Sequence, residues 1–292
     1  MRILLTGAGG QVGTEFRRQV SPSDELLTPG RDALDLNDEQ GVRRYVQAER
    51  PDWIVNAGAY TAVDLAEKER ERCFAVNATA PAAMAQEAAK LNARLIHLST
   101  DYVFDGSKDG AYSEADTIHP LSVYGASKAA GEHDVVAAGG PALVLRTSWV
   151  YGLHGKNFLL TMLRLAKERP ELRVVDDQVG APTSALSIAR AAVQLIGLLK
   201  DTPPQGFPTG IYHMTAAGFT SWCGFATTIV GKAALEAPPR VTPITTAEYP
   251  TPAIRPRNSR LSNDKFGATF GFRLSPWEEQ LSEVFARWSP TP

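Results

Sequence analysis

The chain has 292 residues, 43% hydrophobic and 21% charged, enough for one large domain or for a large and a small one sharing an interface. A formal net charge of −2 without any basic stripe leaves no electrostatic case for nucleic acid, and no apolar run reaches the roughly 18 residues that a bilayer span needs. The first residues are too short an apolar run for a secretory signal, so the expected location is cytoplasmic, with no membrane partner.

Short apolar runs alternate with helical patterns through the first half. Ile3-Leu4-Leu5, Leu26-Leu27, Trp53-Ile54-Val55, the Leu95 to Leu98 run and Leu143-Val144-Leu145 read as strands, with helical periodicity over 41–49, 66–91 and 124–138. Near-continuous strands alternating with helices predict a parallel sheet covered on both faces, a Rossmann-like doubly wound α/β fold. Pro81 falls inside the long Ala-rich stretch, so a kink or a helix restart is expected there. Beyond Trp149 the pattern predicts helices over 157–169 and 184–200 and a proline-rich connector at 201–208. The run from Ile211 to Met214 could return as another strand of the main sheet. Prolines then cluster, as expected of a smaller C-terminal α/β lobe rich in loops. The expected division is a dinucleotide-binding domain over 1–150, with a return segment around 181–215, and an interleaved substrate lobe over 151–292.

Cys73 and Cys223 stand far apart with no C-x-x-C spacing and read as reduced, buried thiols. His97, His119, His133, His154 and His213 form no H-x-H or H-x-x-x-H pair, so no catalytic metal is expected.

Three segments carry chemistry. The first, Thr6 to Gly13, follows the first strand and opens a helix, the context in which such glycines bind a dinucleotide. Gly7 would make the tight turn, Gly10 would let the backbone approach a pyrophosphate, and Gly13 would permit close helix–strand packing. The second lies at the tip of the second strand, where Arg31 can hold a ribose 2′-phosphate and so leans the cofactor toward NADPH; a solvated surface arginine is the other reading. The third, Tyr124 to Lys128, spaces a phenol and an ammonium at i and i+4, on one helix face. A cation beside the phenol would favour its anionic form. The strand ending in Ser99, Thr100 and Asp101 brings hydroxyls to the carboxyl edge of the sheet, where open α/β proteins bind ligands.

On these segments the sequence resembles the extended short-chain dehydrogenase/reductases and, within them, the dTDP-4-dehydrorhamnose reductase family. The resemblance runs over nearly the whole chain. It is carried by GAGGQVG at 7–13, NAGAYTAVDLAE at 56–67, STDYVFDG at 99–106, YGASK at 124–128, RTSWVYG at 146–152, QVGAPT at 178–183 and PAIRPRNSRL at 252–261. It implies Thr100, Tyr124 and Lys128 as the catalytic group. Gly7, Gly10, Gln11, Val12 and Gly13 match the cofactor side, with Arg31, Asp35 and Leu36 at the second strand. Ala57, Gly58, Ala59, Thr61 and Ser99 complete that side, together with Tyr124 and Lys128. Thr100, Asp101, Tyr102, Phe104, Trp149, Asn157, Arg257 and Asn258 match the sugar-nucleotide side. Trp149 could equally be a core aromatic and Arg257 a surface charge; paired donors at Arg255 and Arg257 suit a diphosphate.

The resemblance further implies reduction of dTDP-4-dehydro-β-L-rhamnose at C4 by NADPH, with NADH as a second donor. Tyr124 would protonate the alkoxide, Lys128 would stabilise the tyrosinate, and Thr100 would hydrogen-bond the oxyanion. Alternatives are another sugar-nucleotide reductase or epimerase on the same fold, or a non-catalytic NADP-binding regulatory subunit. A 4,6-dehydratase typically places Asp-Glu after the hydroxyl residue, and here Asp101 is followed by Tyr102. The expected partner is the dTDP-sugar, and the expected state is monomer or homodimer. Some members form a metal-bridged dimer through acidic residues; Glu15 is present, but the final residues from Ser289 onward hold no acid, and no metal is expected.

Overall fold

The computed structural model describes residues 1–289; the end of the C-terminal tail, on which the expectation about a metal-bridged dimer partly rests, lies outside them. In the first half β1 (Arg2–Thr6), α1 (Gln11–Arg17), β2 (Glu25–Leu27), α2 (Glu39–Glu49) and β3 (Trp53–Asn56) follow one another. Then come α3 (Val63–Ala66), α4 (Arg70–Phe74), a π-helical turn (Ala75–Thr79), α5 (Ala80–Leu91), β4 (Arg94–Thr100), α6 (Val123–Ala137) and β5 (Ala142–Thr147). The second half holds β6 (Val150–Tyr151), α7 (Phe158–Glu168), β7 (Glu171–Val175), β8 (Val179–Gly180), β9 (Thr183–Ser184), α8 (Ala185–Leu199) and β10 (Gly210–His213). It ends with β11 (Thr220–Ser221), α9 (Trp222–Lys232), β12 (Arg240–Ile244), β13 (Asn258–Ser259), α10 (Asp264–Phe270) and α11 (Trp277–Ala286).

Six strands form one parallel sheet in the order β10-β5-β4-β3-β1-β2. Its strands are apolar at successive positions because both faces are covered. Ile3, Leu5, Val55 and Leu145 go to the face under α8, with Phe16 of α1. Leu4, Ile54 and Val144 go to the other face, with Val46 of α2 and Met84 of α5. The Ile211 run does rejoin the sheet, as β10 beside β5. Among the described residues no helix is long and apolar enough to cross a membrane.

The restart expected at Pro81 is real, and its cause is local. Proline has no N–H to give to the carbonyl four residues earlier, that of Asn77, and its ring crowds that carbonyl. The chain widens into the π-helical turn just before Pro81, which takes the start of α5. The Asn77 carbonyl then faces α6, where a Cβ on Gly131 would lie 2.1 Å from it.

The second lobe packs around Tyr151, Leu163, Phe225, Trp277 and Leu281, from β6, α7, α9 and α11. Its sheets are short: β7 pairs with β12 in parallel, and β8 sits between β11 and β13. A carboxylate of α1 fastens this lobe. Glu15, 4% exposed, takes Arg18 and Arg287 at 3.0 Å each.

The contact of Gly131 with the π-helical turn gives a direct test. Gly131→Ala gains helix propensity of about 1 kcal/mol but drives a methyl into backbone, an overpacking cost of about 1–3 kcal/mol. A net loss of stability is expected by urea denaturation, whereas Gly197→Ala in α8, with open space at its Cβ, is expected to be neutral or stabilising.

Candidate active site

The loops after β1, β2 and β3 surround a cleft of about 760 Å³ that reaches α6 and the tip of β4. Gly7 has φ +67°, and a Cβ there would lie 2.6 Å from Gly58 N, so only glycine lets the two turns touch. A Cβ on Gly13 would fall 2.1 Å from Gly7 O, which is why Gly13 packs behind the turn and does not face the cleft. Gly10, Gln11 and Val12 line the floor, with Ala57, Gly58, Ala59 and Thr61 opposite. Arg31, Asp35 and Leu36 line the far end. Asp35 accepts from Asn37 N and Nδ2 at 2.9 and 2.7 Å, and these bonds hold its carboxyl below the usual range. Arg17, Arg72 and Lys156 also line the cleft, cations that no motif had marked. A glycine floor under a rim of cations fits a dinucleotide diphosphate.

Ser99, Tyr124 and Lys128 meet at the other end of the cleft. Ser122 caps α6 by accepting from Gly125 N at 3.2 Å, which sets the first turn and hence Tyr124. The phenol stands edge-on to Tyr102, ring centroids 5.5 Å apart. Thr100 Oγ1 donates to Asp101 Oδ1 at 3.1 Å and lies beside the Tyr124 phenol.

The electrostatics differ from the expectation that Lys128 draws the phenol toward its anion. Burial raises the Tyr124 pKa above the ordinary tyrosine range, and the nearby Asp101 carboxyl adds to this. Lys128 is 2% exposed and turns inward, donating to Leu98 O at 2.6 Å with His97 Nε2 at 3.3 Å. Burial pulls its ammonium down to about 8. The neutral phenol and the acidic ammonium are therefore the resting forms of the pair.

Beneath them lies a layer invisible in the sequence. Glu132, one turn beyond Lys128, takes Arg146 of β5 at 2.6 Å and the Ser99 hydroxyl at 2.5 Å. Both partners of this ion pair are nearly dry, Glu132 at 1% and Arg146 at 2% exposed.

The residues matched to a sugar nucleotide fall into two groups. Trp149 stands at the tip of β5 in left-handed backbone, φ +49°, stacked on Trp222 with ring centroids 3.6 Å apart. A Cβ on Gly180 would lie 2.6 Å from the Trp149 ring. Tyr102 sits beside Tyr124, and Arg257 is exposed, with no side-chain ion pair among the described residues. Others are committed elsewhere. Phe104 is 1% exposed and stacks on Tyr112 inside a small cluster, so it is a core aromatic. Asn258 donates to Lys108 O and Gly110 O at 2.7 Å each and accepts from Arg260, so its amide braces a loop and no valence is left over. Asn157 caps α7 and donates to Gln11 Oε1 at 2.9 Å, tying the second lobe to the cleft. Arg255 pairs with Asp64 through both guanidinium nitrogens, at 2.8 and 3.2 Å.

The sequence and the fold recur in known proteins. A family model described as the RmlD substrate binding domain matches residues 1–289. The dTDP-4-dehydrorhamnose reductase of Burkholderia thailandensis is 45% identical over 284 residues, covering 95% of each chain. The chain belongs to the dTDP-4-dehydrorhamnose reductase family. Another member, from Sinorhizobium fredii, is 45% identical over 291 residues, covering 97% of this chain and 96% of its own. The crystal structure of the Bacillus anthracis dTDP-4-dehydrorhamnose reductase, determined in complex with NADP, superposes with a TM-score of 0.91 at 34% identity, covering 98% of this chain and 99% of that one.

Asp101 supplies a pH signature. It is 2% exposed, its Oδ2 has no partner, and burial pushes its carboxyl from the ordinary 3.8 up to about 6. A folded-state pKa raised in this way adds stability that is full below the unfolded value and is lost as pH rises through the folded one. Unfolding free energy is expected to fall by up to about 3 kcal/mol between about pH 4 and pH 6 from this group. Denaturation of Asp101→Asn across that window should show the fall removed.

Proposed function

We propose that the chain is the NADPH-dependent reductase that converts the 4-keto group of dTDP-4-dehydro-β-L-rhamnose to the alcohol of dTDP-β-L-rhamnose. The carrying observation is that Tyr124 and Lys128 line one end of a glycine-floored cleft, with Thr100 beside the Tyr124 phenol, in a chain of the dTDP-4-dehydrorhamnose reductase family. Bound NADPH supplies the hydride. The cleft would seat its diphosphate over Gly10 and Gln11, with Arg31 beside the ribose that carries the 2′-phosphate, and Ser99 near the reacting end. Leu36, Ala57 and Ala59 would wall the adenine half, and Thr61 its rim.

In this reading Tyr124 is the proton donor. A phenol whose pKa is raised stays protonated at neutral pH, which a general acid requires, and gives up its proton only as negative charge develops on O4. Thr100, beside the phenol, would turn its hydroxyl from Asp101 to the same oxygen. Lys128 holds the site in register with β4 through Leu98 O. Trp149 and Tyr102 would shape the sugar pocket, and the unpaired Arg257 would grip the diphosphate by its paired donors. The division of labour is residues 1–150, with 181–215, for the cofactor and the remainder of 151–292 for the sugar nucleotide. We place the enzyme in the cytoplasm, as monomer or homodimer.

The decisive experiment follows NADPH absorbance with enzymatically generated 4-keto sugar nucleotide and identifies the product; a lack of turnover would leave a binding protein. Tyr124→Phe is expected to lower kcat by about 10² or more, with NADPH affinity unchanged in a fluorescence titration. Arg31→Ala is expected to raise KM for NADPH and leave that for NADH in place, since only the former carries a 2′-phosphate. Equal effects on the two would make Arg31 a plain surface residue.

A further inference from the structure

The loop between β6 and α7 belongs to the second lobe, yet its Gly155 and Lys156 line the cofactor cleft together with Gly10 and Gln11. Three contacts with α1 and the residue just beyond it hold the loop there. The Arg18 guanidinium, which can only donate, gives a hydrogen bond to His154 Nε2 at 2.9 Å. Gly155, at φ +72°, turns the chain so closely that a Cβ there would lie 3.6 Å from Gln11 Cγ. Asn157 Nδ2 donates to Gln11 Oε1 at 2.9 Å.

The orientation of both amides follows from partners that have one role each. Asn157 Oδ1 accepts from Leu160 N, which can only donate. Its Nδ2 faces the carbonyls of Gly152 and His154, at 2.9 and 3.2 Å, which can only accept. The Asn157 amide is therefore fixed end for end, and it presents N–H to Gln11. Gln11 answers with its oxygen. Its Nε2, a double donor with no partner among the described residues, is the end left over. Lys156, flanked by the two residues that touch Gln11, is exposed and has no ion pair among the described residues. Neighbouring acids are spoken for. Glu15, which reaches the loop at His154, is taken by Arg18 and Arg287. Among the described residues Asp35 is the only carboxylate lining the cleft, and it is held by Asn37.

We infer that the second lobe completes the cofactor site: Lys156 binds the diphosphate of NADPH, and Asn157 is a positioning residue that turns the Gln11 amide so that its N–H groups meet the same anion. The inference deepens the reductase reading and rests on its seating of the diphosphate over Gly10 and Gln11. A diphosphate offers acceptors alone, so it suits an ammonium and the nitrogen end of an amide and is repelled by the oxygen end. Asn157, which the resemblance sets on the sugar-nucleotide side, thereby serves the cofactor.

The test measures binding to the free protein by NADPH fluorescence and by displacement of NADPH with two fragments. 2′-Phospho-ADP-ribose keeps the diphosphate, whereas adenosine 2′-monophosphate lacks it and keeps the group that Arg31 would hold. Lys156→Ala is expected to weaken NADPH and 2′-phospho-ADP-ribose about tenfold, the scale of one charge-assisted hydrogen bond, and to leave adenosine 2′-monophosphate unchanged. Lys156→Arg should restore most of the loss. Asn157→Ser keeps a side-chain oxygen to cap α7 but removes the amide that orients Gln11. It is expected to weaken the same two ligands about fivefold and again spare the third. Equal weakening of all three ligands, or unchanged NADPH binding in either Lys156→Ala or Asn157→Ser, overturns the inference. A wild type that shows this binding pattern yet turns over no 4-keto sugar nucleotide counts against the reductase reading alone.

Discussion

Glu132 and Arg146 meet in the dry interior, and the arrangement of the site hangs on that contact. Desolvating two ions costs several kcal/mol each, a loss offset only when nearly every donor and acceptor is satisfied. Arg146 reaches both carboxylate oxygens, its guanidinium lies 5.0 Å above the Phe104 ring, and His213 of β10 stands beside it at 3.4 Å. Ser99 completes the carboxylate. One ion pair thereby pins α6 to β4 and β5. Because Tyr124 and Lys128 lie two turns and one turn before Glu132, and Thr100 directly follows Ser99, their mutual placement is fixed from below.

Much of the fold is legible in the residues because it rests on local pattern. Successive apolar positions bounded by turns announce the first five strands, and the i, i+4 spacing puts Tyr124 and Lys128 on one helix face. The glycine turn after the first strand is equally readable, since only glycine tolerates the contact of Gly7 with Gly58. The supporting layer is not. His97 looks like one of several scattered histidines, Glu132 like an ordinary helix charge, and only the parallel register brings His97 beside Asn56. Spacing also says nothing of where a long side chain turns, which is why Lys128 bonds the strand behind it while the phenol keeps its proton.

In the second lobe the limits are of a different kind. β7 and β12 are separated by more than sixty residues, and β12 contains Pro243, so neither carries a local strand signature strong enough to stand alone. Phe104 and Asn258 belong to motifs that resemble a ligand surface, yet packing assigns one to a ring stack and the other to loop carbonyls. Neighbouring Tyr102 and Trp149 keep a face toward the region around Tyr124 and Gly180. Motif membership thus identifies a segment, and tertiary contact sorts its residues into framework and surface.

The sheet's order has a consequence for how the chain is made. β10, which closes the edge beside β5, and α8, which covers the Ile3 and Leu5 face, both come after residue 184. During synthesis at roughly 5–20 residues per second, β5 is therefore complete for several seconds before either arrives. Through that interval the nascent chain presents a bare apolar sheet face and an unpaired edge strand, the two features that invite association with other chains. Chaperone capture of the ribosome-bound intermediate, and poor solubility of fragments that stop near residue 150, follow from the same topology.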